Sequence, residues 1–469
     1  MQIHTHAKDS IALAVMVVFQ TAQSFAQPSE IGEIDSVMRW SNNIGIYNGN
    51  VLVSKNDKII YEGSFGYADA AKKNKLNANY RFNIGSITKE FSAASLMKLK
   101  EQGKLKLDDP VSRFVPGLPG WANGITIKDL LQYTSGLPDI NWDKVNNDKD
   151  IFEDLKQLDS LAFKPGTSYY YNNNNIALRQ FVVEHITKMN FNRFAEKFIF
   201  APCNMQTAIM NPSRVNKNIA KSFNNDLVED PTELPMSGAA YVTTHDLLKW
   251  AKCLHAGKVI NKQSIFELGQ HYNSPGAQAA LGNVTFDNQN IKEHQHDGQS
   301  RNFEALMFYN AGEDLYIILL GNNVNEKVFE ISFAIRSILK GEKYTLPKKS
   351  FFYQFRKQLD SLSIDDFISF YQSIKASQSY IYDVDNEGLL NRIGYYLMNS
   401  KRLDDCIKIF DLNIREFPSS SNVYDSMGEA FYNKGDFNLA LLNYKKSLDL
   451  DPKNDNAKQM IEKIEQARR

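Results

Sequence analysis

Cysteine is scarce in this 469-residue chain. Its three residues, Cys203, Cys253 and Cys406, are too few for a disulfide framework and lack the close spacing of a structural zinc site. Net charge is missing as well: 54 Lys and Arg stand against 54 Asp and Glu. Without a surplus of cations to displace counterions from phosphate, nucleic acid is not an expected partner. The short basic spell at Lys72, Lys73 and Lys75 reads as a solvated face. Long hydrophobic runs are absent too, since the apolar stretch at residues 11–19 is too short to span a bilayer. It fits an export signal instead. Lys8 precedes it, and Ser24 and Ala26 put small residues at the two positions a signal peptidase reads. Cleavage after residue 26 and a periplasmic or secreted location are therefore expected. No cysteine follows the run to take a lipid, so no stable membrane anchor is expected.

What remains is an ordinary folded composition, 43% hydrophobic and 23% charged, with length for two to four domains. A helix is expected over residues 31–40, then two alternating strands, 50–55 and 58–66, joined by a turn at Asn56 and Asp57. Residues 84–256 read as mostly helical, broken by Pro110, Pro116, Pro119, Pro138 and Pro165. Strand character returns at 283–287, 303–309 and 315–320, and a helix over 326–339 closes the unit. A single antiparallel sheet built from both ends of the unit, enclosing a helical insertion, makes an α+β architecture.

Beyond Pro347 a repeat appears. Gly394, Cys406, Phe410 and Pro418 recur 34 residues later as Gly428, Ala440, Tyr444 and Pro452. Small residues where two helices cross, with an aromatic beside them and a proline at the turn, resemble the tetratricopeptide repeat. Cys406 then belongs to a core. Two repeats are fewer than such arrays need, so helices over 352–375 or the first unit should cover the open face. The expected division is 1–26 signal, 27–345 α+β unit, 346–385 helical connector and 386–469 helical repeats.

A serine hydroxyl is a poor nucleophile until a neighbour takes its proton. Ser-x-x-Lys puts an amine on the serine's helical face one turn on. The spacing occurs at Ser86/Lys89, Ser95/Lys98 and Ser337/Lys340. An acyl-transfer site also needs free backbone N–H groups, which only the first turn of a helix offers. Ser86 follows Gly85 and a strand-like stretch, at the mouth of a helix running through Leu99; the other two serines sit inside helices. Two further elements stand out. Residues 164–173 form a Pro-Gly turn followed by aromatics and amides, with Tyr-x-Asn in two registers, Tyr170/Asn172 and Tyr171/Asn173. A lysine near the tyrosine would favour its phenolate and make it a proton shuttle. The other element is His296-Asp297-Gly298, where glycine permits close backbone approach. His294 and His296 alternate on a possible strand, but no third ligand is evident, and no metal is expected. His255-Ala256-Gly257 has the same spelling and reads as a helix end.

Ser86-x-x-Lys89, Tyr171-x-Asn173 and His296-x-Gly298, in this order, resemble the β-lactamase-related serine hydrolases, a superfamily of class C β-lactamases, penicillin-binding DD-peptidases, D-aminopeptidases and esterases. The likeness spans residues 30–340 and includes 82–89, 130–137 and 237–241. It implies a β-lactamase/transpeptidase-like fold, with flanking helices and a helical subdomain around the sheet. It also implies Ser86 as nucleophile, Lys89 as its partner, Tyr171 as general base and acid, and His296 where many relatives carry lysine. Asn173 would bind the acyl side-chain amide, and the Ser86 and Gln299 N–H groups would form the oxyanion hole. The sequence departs from the family at residues 299–302 and at Asn175, where glycines are usual; asparagine tolerates the positive φ those glycines supply.

The function implied is an acyl-enzyme hydrolase for a small peptide, ester or β-lactam, with no cofactor. Arg301 is a candidate for binding a substrate carboxylate. The rival expectation is an envelope protein with little turnover whose helical repeats bind a protein partner.

Overall fold

The computed structural model describes residues 29–213, 215–231 and 234–467, and the expected export signal lies outside them. The chain enters through α1 (Glu30–Asn43), capped where the Ser29 hydroxyl accepts from the Gly32 N–H. Strands β1 (Gly49–Lys55) and β2 (Lys58–Phe65) follow. Between them Asn56 and Asp57 take φ of 51° and 58°, the left-handed pair that a two-residue hairpin turn demands.

The main sheet is antiparallel in the order β2-β1-β9-β8-β7-β6, using β6 (Asn283–Asp287), β7 (Asn290–Ser300), β8 (Phe303–Asn310) and β9 (Leu315–Gly321). Both faces are covered, so β1, expected to alternate, is buried along nearly its whole length, as is β9. Val51, Val53, Ile317 and Leu319 pack towards α1 and the later helix α9 (Val328–Leu339). Leu52, Ile318 and Leu320 turn the other way, into a larger core with Phe91 and Trp250.

That larger core is built by α2 (Lys89–Glu101), α3 (Ile127–Gln132), α4 (Asp148–Lys156), α5 (Asn174–Thr187), α6 (Phe191–Ala195), α7 (Thr244–His255) and α8 (Lys262–Leu268). The expectation of a single sheet needs correcting. A second sheet, ordered β3-β5-β4, joins β3 (Phe82–Asn83), β4 (Ile209–Met210) and β5 (Ala240–Val242). Two- and three-residue strands are too short to leave an alternation in sequence.

Cysteine usage also needs correcting. Cys203 and Cys253 are bonded, with Cα atoms 5.4 Å apart, tying the segment after α6 to α7. Cys406 is the buried free thiol, its pKa pushed up to about 12 by burial.

The chain ends in an all-helical region: α10 (Phe351–Ser361), α11 (Ile364–Gln378), α12 (Glu387–Asn399), α13 (Leu403–Glu416), α14 (Ser421–Lys434), α15 (Phe437–Leu450) and α16 (Asp455–Ala467). The 34-residue period has a direct cause in packing. A Cβ on Gly394 would lie 2.1 Å from the Phe410 ring, and one on Gly428 would lie 2.9 Å from Tyr444, so each helix pair closes on a glycine. Helices α10 and α11 share a core with α12 and α13, as the open repeat face requires. Polar contacts join this region to the sheet unit, among them Trp40 Nε1–H to the Pro347 carbonyl at 2.9 Å and Lys357 to Asp226 at 3.3 Å. Among the described residues no helix is long and apolar enough to cross a membrane.

Denatured, unreduced protein should titrate as one thiol and reduced protein as three. Closing a loop of 50 residues stabilises by about 4 kcal/mol on the chain-entropy model. A thermal melt of Cys203→Ser/Cys253→Ser should accordingly show a clearly lower midpoint, and an unchanged one would contradict the bond's stabilising role.

Candidate active site

Ser86 lies in a tight 3-10 turn, Gly85–Thr88, that leads directly into α2. The turn is held from both sides. Asn83 Oδ1 accepts from the Gly85 N–H at 2.8 Å, and Ile84 N–H bonds the Ala240 carbonyl of β5. Gly85 has φ of 52°, a conformation that glycine adopts without strain.

β7 runs across this turn at very close range. A Cβ on Gly298 would sit 2.0 Å from the Ile84 carbonyl oxygen and 2.8 Å from the Ser86 nitrogen, while one on Gly85 would sit 2.4 Å from the Gln299 nitrogen. Only glycine on both chains allows the approach, and it brings the backbone amides of Ser86 and Gln299 to one crossing beside the serine hydroxyl.

On that hydroxyl two side chains converge. Lys89 Nζ donates to Ser86 Oγ at 2.8 Å and Tyr171 Oη donates to it at 3.0 Å. Tyr170 is exposed, so the structure selects the Tyr171/Asn173 register. The phenol ring is held in a stack: Lys89 Nζ lies 5.0 Å from its centroid, Tyr133 packs at 4.7 Å, and the buried Arg179 guanidinium lies 4.7 Å over Tyr133. Arg179 is fixed in turn by the Leu130 carbonyl, 3.1 Å from its Nε.

The electrostatics differ from the expectation at one point. Tyr171 is pushed up to about 12, because burial disfavours its phenolate more than the Ser86 hydrogen bond and Arg179 favour it. Lys89 moves down: burial disfavours the ammonium and Arg179 repels it, against the pull of Tyr133 and Asp139. The group inclined to lose its proton is the amine, and the phenol keeps its own.

A cavity of about 590 Å³ opens over these groups, lined by Ser86, Lys89, Asn173, Gln299 and Arg301 together with apolar Trp142, Ile176 and Met236. Asn173 donates its backbone N–H (2.8 Å) and its Nδ2–H (3.4 Å) to Asp139 Oδ1. Arg301 takes φ of 52° in the β7–β8 turn and donates through Nη1 to the Pro231 carbonyl. A larger groove of about 910 Å³ lies between the sheet unit and α10, and its walls do not include Ser86.

The remaining sequence candidates separate cleanly. Ser95 is buried and donates to the Phe91 carbonyl within α2, and Ser337 is buried on α9. Gly257 follows the end of α7 with φ of 67°. Asn175 is helical and fully buried in α5, so it does not supply the positive φ expected of it; at residues 299–302 that conformation falls to Arg301. His296 points into the core, where its Nδ1 lies 2.6 Å from Glu90 Oε1. The third group missing from the His294/His296 pair is therefore Glu90, and ligand-capable atoms of all three lie within 4.8 Å of one another. The sequence reading also missed Arg179 and Asp139. Glu90 alone carried a signal, an acid beside Lys89 in a helix otherwise apolar at Phe91, Ala93, Ala94 and Leu96.

A hydroxyl at a helix mouth, an amine and a phenol bonded to it, and two backbone amides beside it are thus brought to one place. The model of the family described as Beta-lactamase matches residues 37–339, and the chain belongs to that family. Penicillin-binding protein 4* of Bacillus subtilis (strain 168) is 28% identical over 343 residues, 65% of this chain and 74% of that protein. Protein flp of Staphylococcus aureus (strain MRSA252) is 27% identical over 355 residues, 71% of each. A class C β-lactamase structure matches with a TM-score of 0.59 at 19% identity, over 68% of this chain and 99% of its own. A penicillin binding protein from Bacillus halodurans gives 0.56 at 22%, over 66% and 98%. These structural likenesses establish the fold.

Gly298→Ala should force β7 off the helix mouth and reduce active-site acylation by about 10²-fold or more, while far-UV circular dichroism stays close to the parent. Acylation at the parental rate would show that the close approach is not needed.

Proposed function

We propose that the chain is a serine hydrolase working through an acyl-enzyme on an amide or ester. The observation that carries this reading is the meeting of Lys89 Nζ and Tyr171 Oη on Ser86 Oγ, at 2.8 and 3.0 Å. Lys89 in its neutral form takes the hydroxyl proton as Ser86 attacks the carbonyl carbon. The Ser86 and Gln299 N–H groups stabilise the oxyanion, and the Tyr171 phenol passes a proton to the leaving group while the Lys89 ammonium restores the phenol's proton and becomes a neutral amine again. Water, activated by the same amine, then releases the acyl group.

Substrate class is the finer part of the proposal. The apolar wall of Trp142, Ile176 and Met236 suits an acyl group with an apolar side chain, and Asn173 suits an amide beside it. A small peptide, an ester or a β-lactam all meet these demands, and the penicillin-binding name of one relative supports testing a penicillin first. Export is proposed as well, supported by the apolar run at residues 11–19 and by the Cys203–Cys253 bond, which belongs in an oxidising compartment. The helical repeats are proposed to dock a protein, supported by Phe437 and Leu442 standing exposed on α15.

Intact-mass spectrometry after a fluorophosphonate or a penicillin should show one adduct on the parent and none on Ser86→Ala. An adduct that persists there would remove the proposal. Turnover should rise with pH as Lys89 loses its proton. Because that pKa is lowered, the rising limb should lie below the ordinary lysine value of about 10.4. Tyr171, at about 12, stays protonated throughout that limb. Lys89→Arg, which cannot accept the proton, should lose about 10²- to 10⁴-fold in kcat.

A further inference from the structure

Glu90 follows Lys89 on α2, yet its side chain is fully buried and does not line the cavity. An isolated carboxylate in such a place is very costly, and this one is surrounded by donors. Trp250 Nε1–H donates to Oε2 at 2.6 Å, while His294 Nε2 and His296 Nδ1 lie 3.1 and 2.6 Å from Oε1. Burial by itself would raise the Glu90 pKa; the two histidines overcome it and hold it at about 2. The group is an anion that can only accept hydrogen bonds.

That single fact assigns the protons along the cluster. Both imidazole nitrogens facing Glu90 must carry hydrogen, and His294 Nε2 also faces the Leu281 carbonyl at 2.8 Å, another pure acceptor. The other His294 nitrogen, Nδ1, lies 2.9 Å from His255 Nε2, so a single hydrogen bridges the two rings. His255 Nδ1 in turn lies 3.3 Å from Tyr316 Oη. Burial and the neighbouring His294 keep His255 neutral, well below the ordinary histidine range. Every ring nitrogen is thus committed except His296 Nε2, for which the described residues offer no hydrogen-bond partner. On β7 His296 shares the face of Gly298, the face pressed against Ile84 and Ser86.

We infer that Glu90 is a positioning residue that locks His296 as its Nδ1–H tautomer, leaving the Nε2 lone pair as an acceptor on the strand face behind the nucleophile. Both histidines share Oε1, so Glu90→Gln, which keeps one accepting oxygen, can still serve them, whereas Glu90→Leu removes both acceptors and frees His296 Nδ1. The catalytic consequence rests on the acyl-enzyme reading; the tautomer does not.

The test is a two-bond ¹H–¹⁵N spectrum of histidine-labelled protein at pH 9, with His296 assigned from the signals lost in His296→Asn. We expect a pyrrole-type Nδ1 and a pyridine-type Nε2. In Glu90→Leu the Nε2–H form should appear and kcat should fall at least about tenfold with KM little changed, while Glu90→Asp should keep the parental tautomer. A proton on Nε2 in the parent overturns the inference whatever the variants do. So does an unchanged His296 pattern in folded Glu90→Leu, or a stoichiometric divalent metal bound by the three side chains in the purified protein. The spectrum needs no turnover, so a Ser86 that proves unreactive and a His296 that proves wrongly assigned are separate outcomes.

Discussion

The candidate site in this chain depends on two backbones touching. Gly85 and Gly298 let the first turn of α2 and the strand β7 approach until no side-chain carbon fits between them. Hydrogen-bond donors become useful to a developing oxyanion only if they are already aimed when charge appears. Two amides from different elements can be aimed together only where those elements are in contact. The wide sheet, buried on both faces, serves this contact by giving β7 neighbours on each side and no freedom to withdraw.

The second constraint is burial of charge. Lys89, Arg179 and Glu90 all lie where water cannot solvate them freely, and each is answered differently. Arg179 is spread over the Tyr133 ring and bonded to a backbone carbonyl. Glu90 is answered by three N–H groups. Lys89 is answered by a shift towards its neutral form, which is the form a proton acceptor requires. Burial also holds Tyr171 as a phenol rather than the phenolate that lysine proximity suggested, so one environment sorts an acid from a base.

Local features were legible in the sequence. The Ser86/Lys89 spacing, the Asn56–Asp57 turn, the strands beside it and the 34-residue helical period each follow from short-range rules, and the elements stand within a few residues of their expected bounds. β7 was barely legible, because NIKEHQHDGQS is polar. Its inward positions are His294, His296 and Gly298, whose place in the core depends on Glu90 and on the helix mouth rather than on their own hydrophobicity. The Cys203–Cys253 pairing and the Arg179–Tyr133 stack were not legible at all, since each joins segments that only the finished fold brings together.

The sheet order has a temporal meaning. β1, formed from residues 49–55, hydrogen-bonds β9, residues 315–321, and the nucleophile at 86 meets β7 only near residue 298. A growing chain that already contains Ser86, Lys89 and even Tyr171 still lacks the strand that carries Gly298 and Gln299. The crossing of the helix mouth by β7 is therefore completed only with the last strands of the domain.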